Sequence, residues 1–409
     1  MIRPEEFPYI KSLYVNDCYA YKDFSIELHG YKPFSHLILT GKNGSGKSTI
    51  LVSINAHLHC LQVGMKPSDQ LESWRQSVEL ARKSGNGNVR QYQNNANLYH
   101  NVIPNYKETD ELSFWKQYTN ISVYSFLKAK RESNVKSVDT VTKELDFYTQ
   151  FADNNSTDYF IKHFKQYLVN QKVSQAFDQL NKNQTGVLAS ETFFTSFKNA
   201  LRKILDDDSL ELEFIQKEFE FYLVLSDGRK VTFDVLSEGY SALISILMDL
   251  FMRVDLIRKQ VGDYAYNPCG IVLIDEPETH LHLQLQEQVL PLLTRLFPNV
   301  QFIAATHSPA VIASIKNATI FDLTTKESRG SEETVGRSYS ELMRGHFGLE
   351  NEYSGIADEL FREVDLILKE YKGQPDKLKD RLQQFFMENE AYFSPTFRVE
   401  LESMILENA

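Results

Sequence analysis

The stretch over residues 37–51, LILTGKNGSGKSTIL, restricts the fold of this 409-residue chain more than any other part of the sequence. An apolar run leads into a glycine-rich turn, and Lys-Ser-Thr then begins a second apolar run. The pattern fits G-x-x-x-x-G-K-[S/T], whose chemistry requires a strand before the turn and a helix after it. The apolar run before the turn predicts that strand, and residues 47–62 predict the helix. The stretch therefore indicates an α/β fold built around a phosphate-binding loop.

The residues of this loop have separate expected roles. The glycines allow backbone N–H groups to surround phosphate oxygens, and the following helix directs the positive end of its dipole at them. Lys47 is expected to reach the β- and γ-phosphates, and Ser48 is expected to hold Mg²⁺. The sequence thus predicts ATP and Mg²⁺ as ligands. The residues predicted to bind the nucleotide are Gly41, Asn43, Gly44, Ser45, Gly46, Lys47, Ser48 and Thr49.

A second motif is the acidic pair Asp275-Glu276, which ends the apolar run of GIVLIDEPE over residues 270–278. A carboxylate at the end of such a strand can hold Mg²⁺, and the next one can polarise an attacking water molecule. Asp275 is therefore predicted to be a metal ligand together with Ser48, and Glu276 a catalytic residue. Two acids can also simply cap a buried strand. The phosphate loop elsewhere in the chain favours the catalytic interpretation.

The third motif, LSEGYSAL over residues 236–243, places Ser237 and Gly239 at the start of a long apolar helix. The N-terminus of a helix is an anion site. A site for the nucleotide of its own subunit would duplicate the phosphate loop, so we expect Ser237 and Gly239 to face the γ-phosphate bound by a second subunit. The alternative is an ordinary serine N-cap with a nearby glycine.

The fourth motif is His307 in AATHSP, at the end of the apolar run over residues 300–309. A histidine at this place can donate a hydrogen bond to the γ-phosphate, although a lone histidine at a strand end is more often structural. Considered with the other motifs, His307 is predicted to be catalytic, together with Lys47 and Glu276.

The order of these four motifs resembles the ABC-type ATPase head of the RecF, SMC and OLD group. The segment NDCYAYKDFSIEL over residues 16–28 is similar to the first hairpin of that group, and the resemblance extends over about residues 8–325. It implies a head-to-tail dimer that encloses two ATP molecules, in which Ser237 and Gly239 act in trans. It also places the loop with His280 and His282 at the dimer interface.

Two parts of the family pattern do not match this chain. Glu238 stands where the second glycine of the signature is usual. The glutamine that contacts Mg²⁺ in the family has no certain counterpart. Gln91, Gln93 and the basic turn around Arg131 are the candidates.

The predicted fold is an α/β ABC-type P-loop ATPase head with a mixed central sheet, an antiparallel β lobe, a helical insertion and a helical C-terminal tail. Residues 1–325 are assigned to the head, with the insertion at about 138–205, and residues 326–409 to the C-terminal helical region. Residues 84–98 are rich in Gly, Asn and Gln, which predicts a loop.

Composition narrows the possible surroundings of the protein. The three cysteines are scattered and odd in number, which predicts reduced thiols in a cytoplasmic protein. The N-terminus is too polar for a signal peptide, and no segment approaches the roughly 20 apolar residues of a membrane helix. We therefore expect no membrane contact.

Within the resembled group, the chain looks most like the ATPase subunits of antiphage defence systems, namely the PtuA-type ATPases of Septu and retron systems and the AriA-type ATPase of PARIS. This implies a slow ATPase that acts as a sensor or regulatory subunit. Through ATP-dependent assembly into a homodimer or higher homo-oligomer, it would control an effector nuclease or toxin. The net charge of −11 agrees with protein partners more than with tight DNA binding.

The alternative is a RecF-like DNA repair ATPase that clamps DNA, with DNA or RNA as its partner. That function requires a basic groove. The sequence offers only scattered basic candidates, namely Lys42, residues 128–131 and residues 162–165.

Overall fold

The computed structural model describes residues 1–18, 21–85, 87–107, 110–130, 135–143, 157–347 and 355–407. They belong to two compact units, Met1–Phe347 and Gly348–Ala409. The boundary expected after residue 325 falls within the first unit, between two strands that pair with each other.

The first unit contains both strands and helices. Its strands are β1 Ile10–Cys18, β2 Tyr21–Glu27, β3 His36–Thr40, β4 Val102–Tyr106, β5 Val123–Leu127, β6 Glu211–Ile215, β7 Glu220–Val224, β8 Lys230–Val231, β9 Gly270–Asp275, β10 Val300–Ala305, β11 Ala318–Asp322 and β12 Glu327–Gly330. Its helices are α1 Lys47–Gln62, α2 Pro67–Ser84, α3 Val89–His100, α4 Glu111–Tyr118, α5 Thr157–Leu180, α6 Gln184–Leu205, α7 Glu238–Val261, α8 Leu283–Leu296, α9 Pro309–Ser314 and α10 Tyr339–Phe347.

A six-stranded sheet with the order β12-β11-β3-β10-β9-β5 forms the centre of this unit. Its inner strands pair in parallel, and only β12 runs antiparallel to its neighbour, so the predicted mixed sheet is confirmed. The strands β3 and β10 are buried at every position, as expected for parallel strands covered on both faces. Ile38 contributes to the apolar core on one face of the sheet, and Leu37 and Leu39 contribute to the core on the other.

The predicted antiparallel lobe is also present. Strands β1 and β2 form the expected hairpin, in which Leu13 lies opposite Ile26, and β4 pairs with the other edge of β1. A second antiparallel sheet has the order β6-β7-β8.

The prediction of a loop over residues 84–98 is wrong, because α3 begins at Val89. It packs against α2, where the rings of Trp74 and Tyr92 stack 5.9 Å apart. Tyr92, Ala96 and Tyr99 follow the i, i+4, i+7 spacing of a helix face, and Ala96 is buried. The surrounding Asn and Gln residues concealed that narrow apolar stripe.

A helical insertion is present, although α5 begins only at Thr157. Residues 138–143 are not helical, and residues 144–156 lie outside the described part of the chain. Helices α5 and α6 pack together and against α7 through aromatic rings. The ring centroid of Phe197 in α6 lies 5.1 Å from that of Phe164 in α5 and 5.4 Å from that of Phe251 in α7.

A buried ion pair lies in the middle of α7. Arg253 Nε donates to Asp249 Oδ1 at 2.9 Å, and both side chains are fully buried. Burial raises the pKa of Asp249, and the charge of Arg253 opposes that shift. The Arg253 guanidinium also lies 4.2 Å from the ring centroid of Phe160, so it contacts the helical insertion as well as its own helix.

The second unit consists of the helices α11 Gly355–Glu370, α12 Pro375–Asn389 and α13 Pro395–Glu407. They surround a separate apolar core with fully buried Leu382 and Phe385, which confirms the helical C-terminal tail. Across the described ranges of both units, no helix is long and apolar enough to cross a membrane.

The first prediction concerns the acid stability of the fold. His57 on α1 is buried, and burial lowers its pKa to about 4, with the carbonyl of Tyr99 opposing the shift. The unfolded chain binds a proton at His57 near pH 6.5, so the contribution of neutral His57 to the free energy of unfolding is fully present above pH 6.5. This contribution decreases by about 1.4 kcal/mol per pH unit as the pH falls from 6.5 to about 4. His57→Gln should weaken this pH dependence in chemical unfolding measured from pH 7 to pH 4.

His59 on the same helix is exposed and provides the matched control. His59→Gln should change the pH dependence less than His57→Gln does. Equal pH profiles for His57→Gln and the wild-type protein would contradict the assignment of a buried neutral histidine.

Candidate nucleotide-binding site

The phosphate loop connects the end of β3 at Thr40 to the start of α1 at Lys47. Gly44 and Gly46 have φ angles of 76° and 98°, in the left-handed region that favours glycine. No atom lies within 4 Å of the position that a Cβ atom of Gly44 would occupy, so no neighbouring atom crowds this glycine. A Cβ atom on Gly46 would lie 1.9 Å from Cys18 Sγ, which leaves no space for a side chain.

Lys47 extends across this loop. Its Nζ atom donates to the carbonyl oxygens of Gly41 at 2.9 Å and Lys42 at 3.2 Å. Burial lowers the pKa of Lys47, and the nearby carboxylates of Glu276 and Asp275 oppose that shift. The ammonium group is therefore held at the loop by carbonyl oxygens and lies within electrostatic range of the acidic pair.

The remaining loop residues are arranged as a phosphate site requires. Ser45 Oγ is buried and has no hydrogen-bond partner among the described residues. Asn43 is exposed, and Ser48 and Thr49 lie in the first turn of α1, with Ser48 exposed. The loop and the first turn of α1 thus carry hydroxyl groups, an ammonium group and a helix N-terminus, a donor set that fits a nucleotide phosphate with a bound Mg²⁺.

Asp275 is the last residue of β9, whose pairing with β10 brings it beside Ala305, and Glu276 follows directly. The Glu276 N–H donates to the Ala305 carbonyl at 2.8 Å, and the residue has a φ of 46°. Thr279 Oγ1 donates to Glu276 Oε2 at 3.2 Å. A non-glycine residue in this backbone region is strained, and such strain is concentrated at functional sites.

His307 follows β10 and belongs to the same group of residues. Burial lowers its pKa, the positive charge of Lys47 lowers it further, and Glu276 opposes both effects. The imidazole is therefore neutral at pH 7 and lies within electrostatic range of the phosphate-loop lysine and the acid. Its backbone N–H donates to Glu278 Oε1 at 2.7 Å.

Ser237 and Gly239 lie at the start of α7. Ser237 is exposed and its side chain does not cap the helix, so the N-terminal N–H groups there have no side-chain acceptor from it. Gly239 is buried, and a Cβ atom on it would lie 2.4 Å from the carbonyl oxygen of His280. The glycine is thus required for a contact within its own subunit, and neither residue is hydrogen-bonded to the phosphate loop in the described part of the chain.

Two candidates for the family glutamine lie on a helix, and the others belong to the basic segment that follows β5. Gln91 and Gln93 lie on α3, and Gln93 Nε2 donates to Asn97 of the same helix at 3.1 Å. Lys128 and Lys130 are exposed after β5, and Arg131 lies outside the described residues. His280 and His282 belong to no metal-binding cluster, because the described chain contains no group of three His, Cys, Asp or Glu side chains that could hold a metal ion.

Two hydrogen bonds that the sequence analysis missed hold the phosphate loop against the end of β11. Asp322 ends β11, and its Oδ1 atom accepts from the Thr324 N–H at 2.7 Å. Thr324 Oγ1 in turn accepts from the N–H of Lys42 at 3.0 Å. The run ATIFD over Ala318–Asp322 has the same form as the run that ends in Asp275, an apolar strand followed by an acid, and this signal could have identified Asp322.

The second prediction tests the tight contact below the loop. Gly46→Ala should abolish ATP-dependent thermal stabilisation, because the new methyl group collides with Cys18 and displaces the loop. Gly64 is the control, since its φ is 76° and no atom lies within 4 Å of its Cβ position. Gly64→Ala should cost only roughly 1–2 kcal/mol of stability and keep ATP binding. A Gly46→Ala protein that binds ATP like the wild type would contradict the proposed collision.

Comparison with known proteins agrees with this site. The chain is similar to Septu protein PtuA from Bacillus thuringiensis, with 25% identity over 67% of this chain and 66% of the relative. It is similar to the retron Vc95 probable ATPase from Vibrio cholerae serotype O1 biovar El Tor, with 24% identity over 72% of each chain. The chain thus spans 66% and 72% of the lengths of these relatives. The resemblance predicted from the order of the motifs is confirmed.

Among solved structures, the chain aligns with the Smc head domain derived from Pyrococcus furiosus, with a TM-score of 0.42 and 14% identity. The alignment covers 80% of this chain and 98% of that chain. That structure carries an extended coiled coil and is bound to the C-terminal domain of ScpA. A family model described as "AAA domain, putative AbiEii toxin, Type IV TA system" matches residues 37–313. That match covers more than half of the chain and includes the phosphate loop, the acidic pair and His307, and the protein therefore belongs to this AAA-domain family.

Proposed function

We propose that this protein binds and slowly hydrolyses ATP as an ABC-type ATPase. The observation that supports it best is the convergence of Lys47, the acidic pair and His307 at the ends of neighbouring strands, where the charges of Lys47 and Glu276 act on the pKa of His307. A lysine at an open glycine loop, two strand-end carboxylates and a neutral imidazole are the parts that phosphoryl transfer to water requires.

Each residue then has a role in the reaction. Lys47 neutralises charge on the β- and γ-phosphates, and Ser48 with Asp275 would hold Mg²⁺. When bound, Mg²⁺ neutralises negative charge that develops on the phosphate oxygens. Glu276 accepts hydrogen bonds from the attacking water and orients it. His307, neutral at pH 7, donates a hydrogen bond toward the γ-phosphate.

We further propose that the site is completed by a second copy of the chain. The N-terminus of α7 at Ser237 is exposed and lacks a side-chain cap, so it remains able to bind an anion. Ser237 and Gly239 would contact the nucleotide bound by the partner subunit. This contact would join the copies into a homodimer or a higher homo-oligomer with composite ATP sites.

The third prediction tests ATP-dependent assembly. Glu276→Gln should allow ATP binding but block water activation, and thereby trap the nucleotide-bound dimer. Size-exclusion chromatography with light scattering should show an increase in mass with ATP. Lys47→Ala is the control and should show no increase, because it lacks the phosphate contact. The absence of any ATP-dependent increase in Glu276→Gln would contradict the composite site.

The fourth prediction tests contributions in trans. Lys47→Ala disables a site in cis, and Ser237→Arg should disable the site of the partner subunit. Each variant alone should be inactive. A mixture should recover part of the ATPase rate, because one site of a mixed dimer has both intact halves. If the mixture stays as inactive as the single variants, Ser237 does not act on the partner's nucleotide.

For its cellular role, we propose a sensor or regulatory subunit of an antiphage defence complex. Support comes from the two relatives, which are named for a Septu and a retron system. The ATP state would set the assembly that holds an effector nuclease or toxin. A slow switch requires slow turnover, so a rate of tens of ATP per second by the purified chain would contradict this role. Purification of Glu276→Gln protein from its native locus should yield a stoichiometric nuclease or toxin-like partner.

The RecF-like DNA clamp remains the second candidate, and recovery of DNA without a protein partner in that purification would favour it. One of its proposed DNA contacts is not free for that role. Lys165 is 3% exposed, and its Nζ atom lies 2.8 Å from Glu220 Oε2 and 3.6 Å from Asp234 Oδ2. Its charge is therefore neutralised within the fold.

A further inference from the structure

We propose that Glu278 and Gln286 are positioning residues that hold the His307 turn against the loop of the catalytic acid. This inference rests on the proposed ATPase function for its effect on rate, and on hydrogen bonds alone for its effect on structure. The two residues connect segments that are distant in sequence, namely the loop over residues 276–282 and the turn over residues 306–308.

Glu278 provides the first connection. Its Oε1 atom accepts from the backbone N–H of His307 at 2.7 Å. The second oxygen, Oε2, is buried and accepts no hydrogen bond among the described residues. Burial raises the pKa of Glu278, whereas the bond from His307 lowers it in part. Glu278 lies two residues after Glu276, so this hydrogen bond, together with the one from the Glu276 N–H to the Ala305 carbonyl, connects the acid-bearing loop to the segment that carries His307.

Gln286 in α8 provides the second connection. Its Nε2 atom donates to the carbonyl of Leu281 at 2.7 Å, and its Oε1 atom accepts from Ser308 Oγ at 2.6 Å. Ser308 is also the N-cap of α9, where its side chain accepts from the N–H of Val311 at 3.3 Å. One amide group therefore connects the end of the acid loop with the residue that follows His307.

The acid loop is also fixed at the opposite side. The carbonyl oxygen of His280 packs directly against Gly239 at the start of α7. His280 has a φ of 63° and Glu276 a φ of 46°, so the loop has strained backbone at both positions. Such conformations persist only where neighbouring contacts hold them. Glu278 and Gln286 supply such contacts toward His307, and in the described part of the chain neither shares a hydrogen bond with the carbonyls that hold Lys47.

This independence predicts which property changes in a variant. Glu278→Ala removes the acceptor for His307 but leaves the phosphate loop intact. ATP affinity should therefore change less than kcat, which should fall on the order of 10- to 100-fold, the loss expected when a catalytic group is misplaced by about 1 Å. Glu278→Gln keeps an acceptor oxygen and should retain most of the activity. Gln286→Ala should show a smaller loss, and Gln284→Ala, at an exposed position of the same helix, should show none.

The decisive rate experiment is a double-mutant cycle with His307→Ala. If Glu278 acts through His307, the double variant should be no slower than His307→Ala alone. Additive losses in the double variant would overturn the inference, because Glu278 would then act on something else. Loss of activity in His307→Ala combined with a normal rate in Glu278→Ala would also overturn it.

Hydrogen exchange of the full chain tests the inference without ATP hydrolysis. The peptide containing His307 should exchange faster in Glu278→Ala than in the wild type, and Glu278→Gln should restore slow exchange. Unchanged exchange in Glu278→Ala would overturn the inference even if the ATPase proposal holds. Faster exchange with a His307→Ala protein of normal ATPase rate would support the positioning contact and contradict only the catalytic role of His307.

Discussion

Parallel pairing of β10 between β3 and β9 is the constraint on which the rest of the site depends. Parallel strands point their carboxyl ends at one edge of a sheet, so the loops that follow these strands meet there. The phosphate loop, the acidic pair and His307 each begin directly after one of these strands. A shift in register would move their side chains away from one another. In the observed register Ala304 lies beside Ile38 and Ile274, and a shift by one residue would exchange the side chains that pack into the two apolar cores.

Helix α7 connects this edge of the sheet to the helical insertion. Its first turn contacts the acid loop through Gly239, and its middle carries the buried Asp249–Arg253 pair. Removal of one partner from such a pair leaves an uncompensated charge in the core, at a cost of about 3–5 kcal/mol. Because Arg253 also contacts Phe160 of α5, the orientation of the insertion and that of α7 are energetically linked. The insertion is therefore packed as part of the ATPase core.

Short motifs explain how much of the molecule could be predicted from sequence. The phosphate loop, the acidic pair and His307 are local patterns at strand ends, and the central sheet follows from their apolar runs. The contacts made by Glu278, Gln286 and Thr324 could not be predicted in this way. Thr324 accepts a hydrogen bond from Lys42, which lies 282 residues earlier in the sequence. Such a pair depends on how the strands are ordered in the sheet. Helix α3 was missed because amide-rich composition outweighed the spacing of Tyr92, Ala96 and Tyr99.

The contact between Gly239 and the His280 carbonyl changes how the signature segment can be studied. In a composite site, a substitution at the signature glycine is usually interpreted as a defect in recognition of the partner's nucleotide. In this protein, a side chain at Gly239 would first push away the loop that carries Glu276 of the same subunit. In the proposed composite site the two faces would therefore be mechanically coupled at this glycine, and a loss of activity there would not distinguish them. Ser237, which is exposed two residues earlier, is the position at which the two contributions can be measured separately.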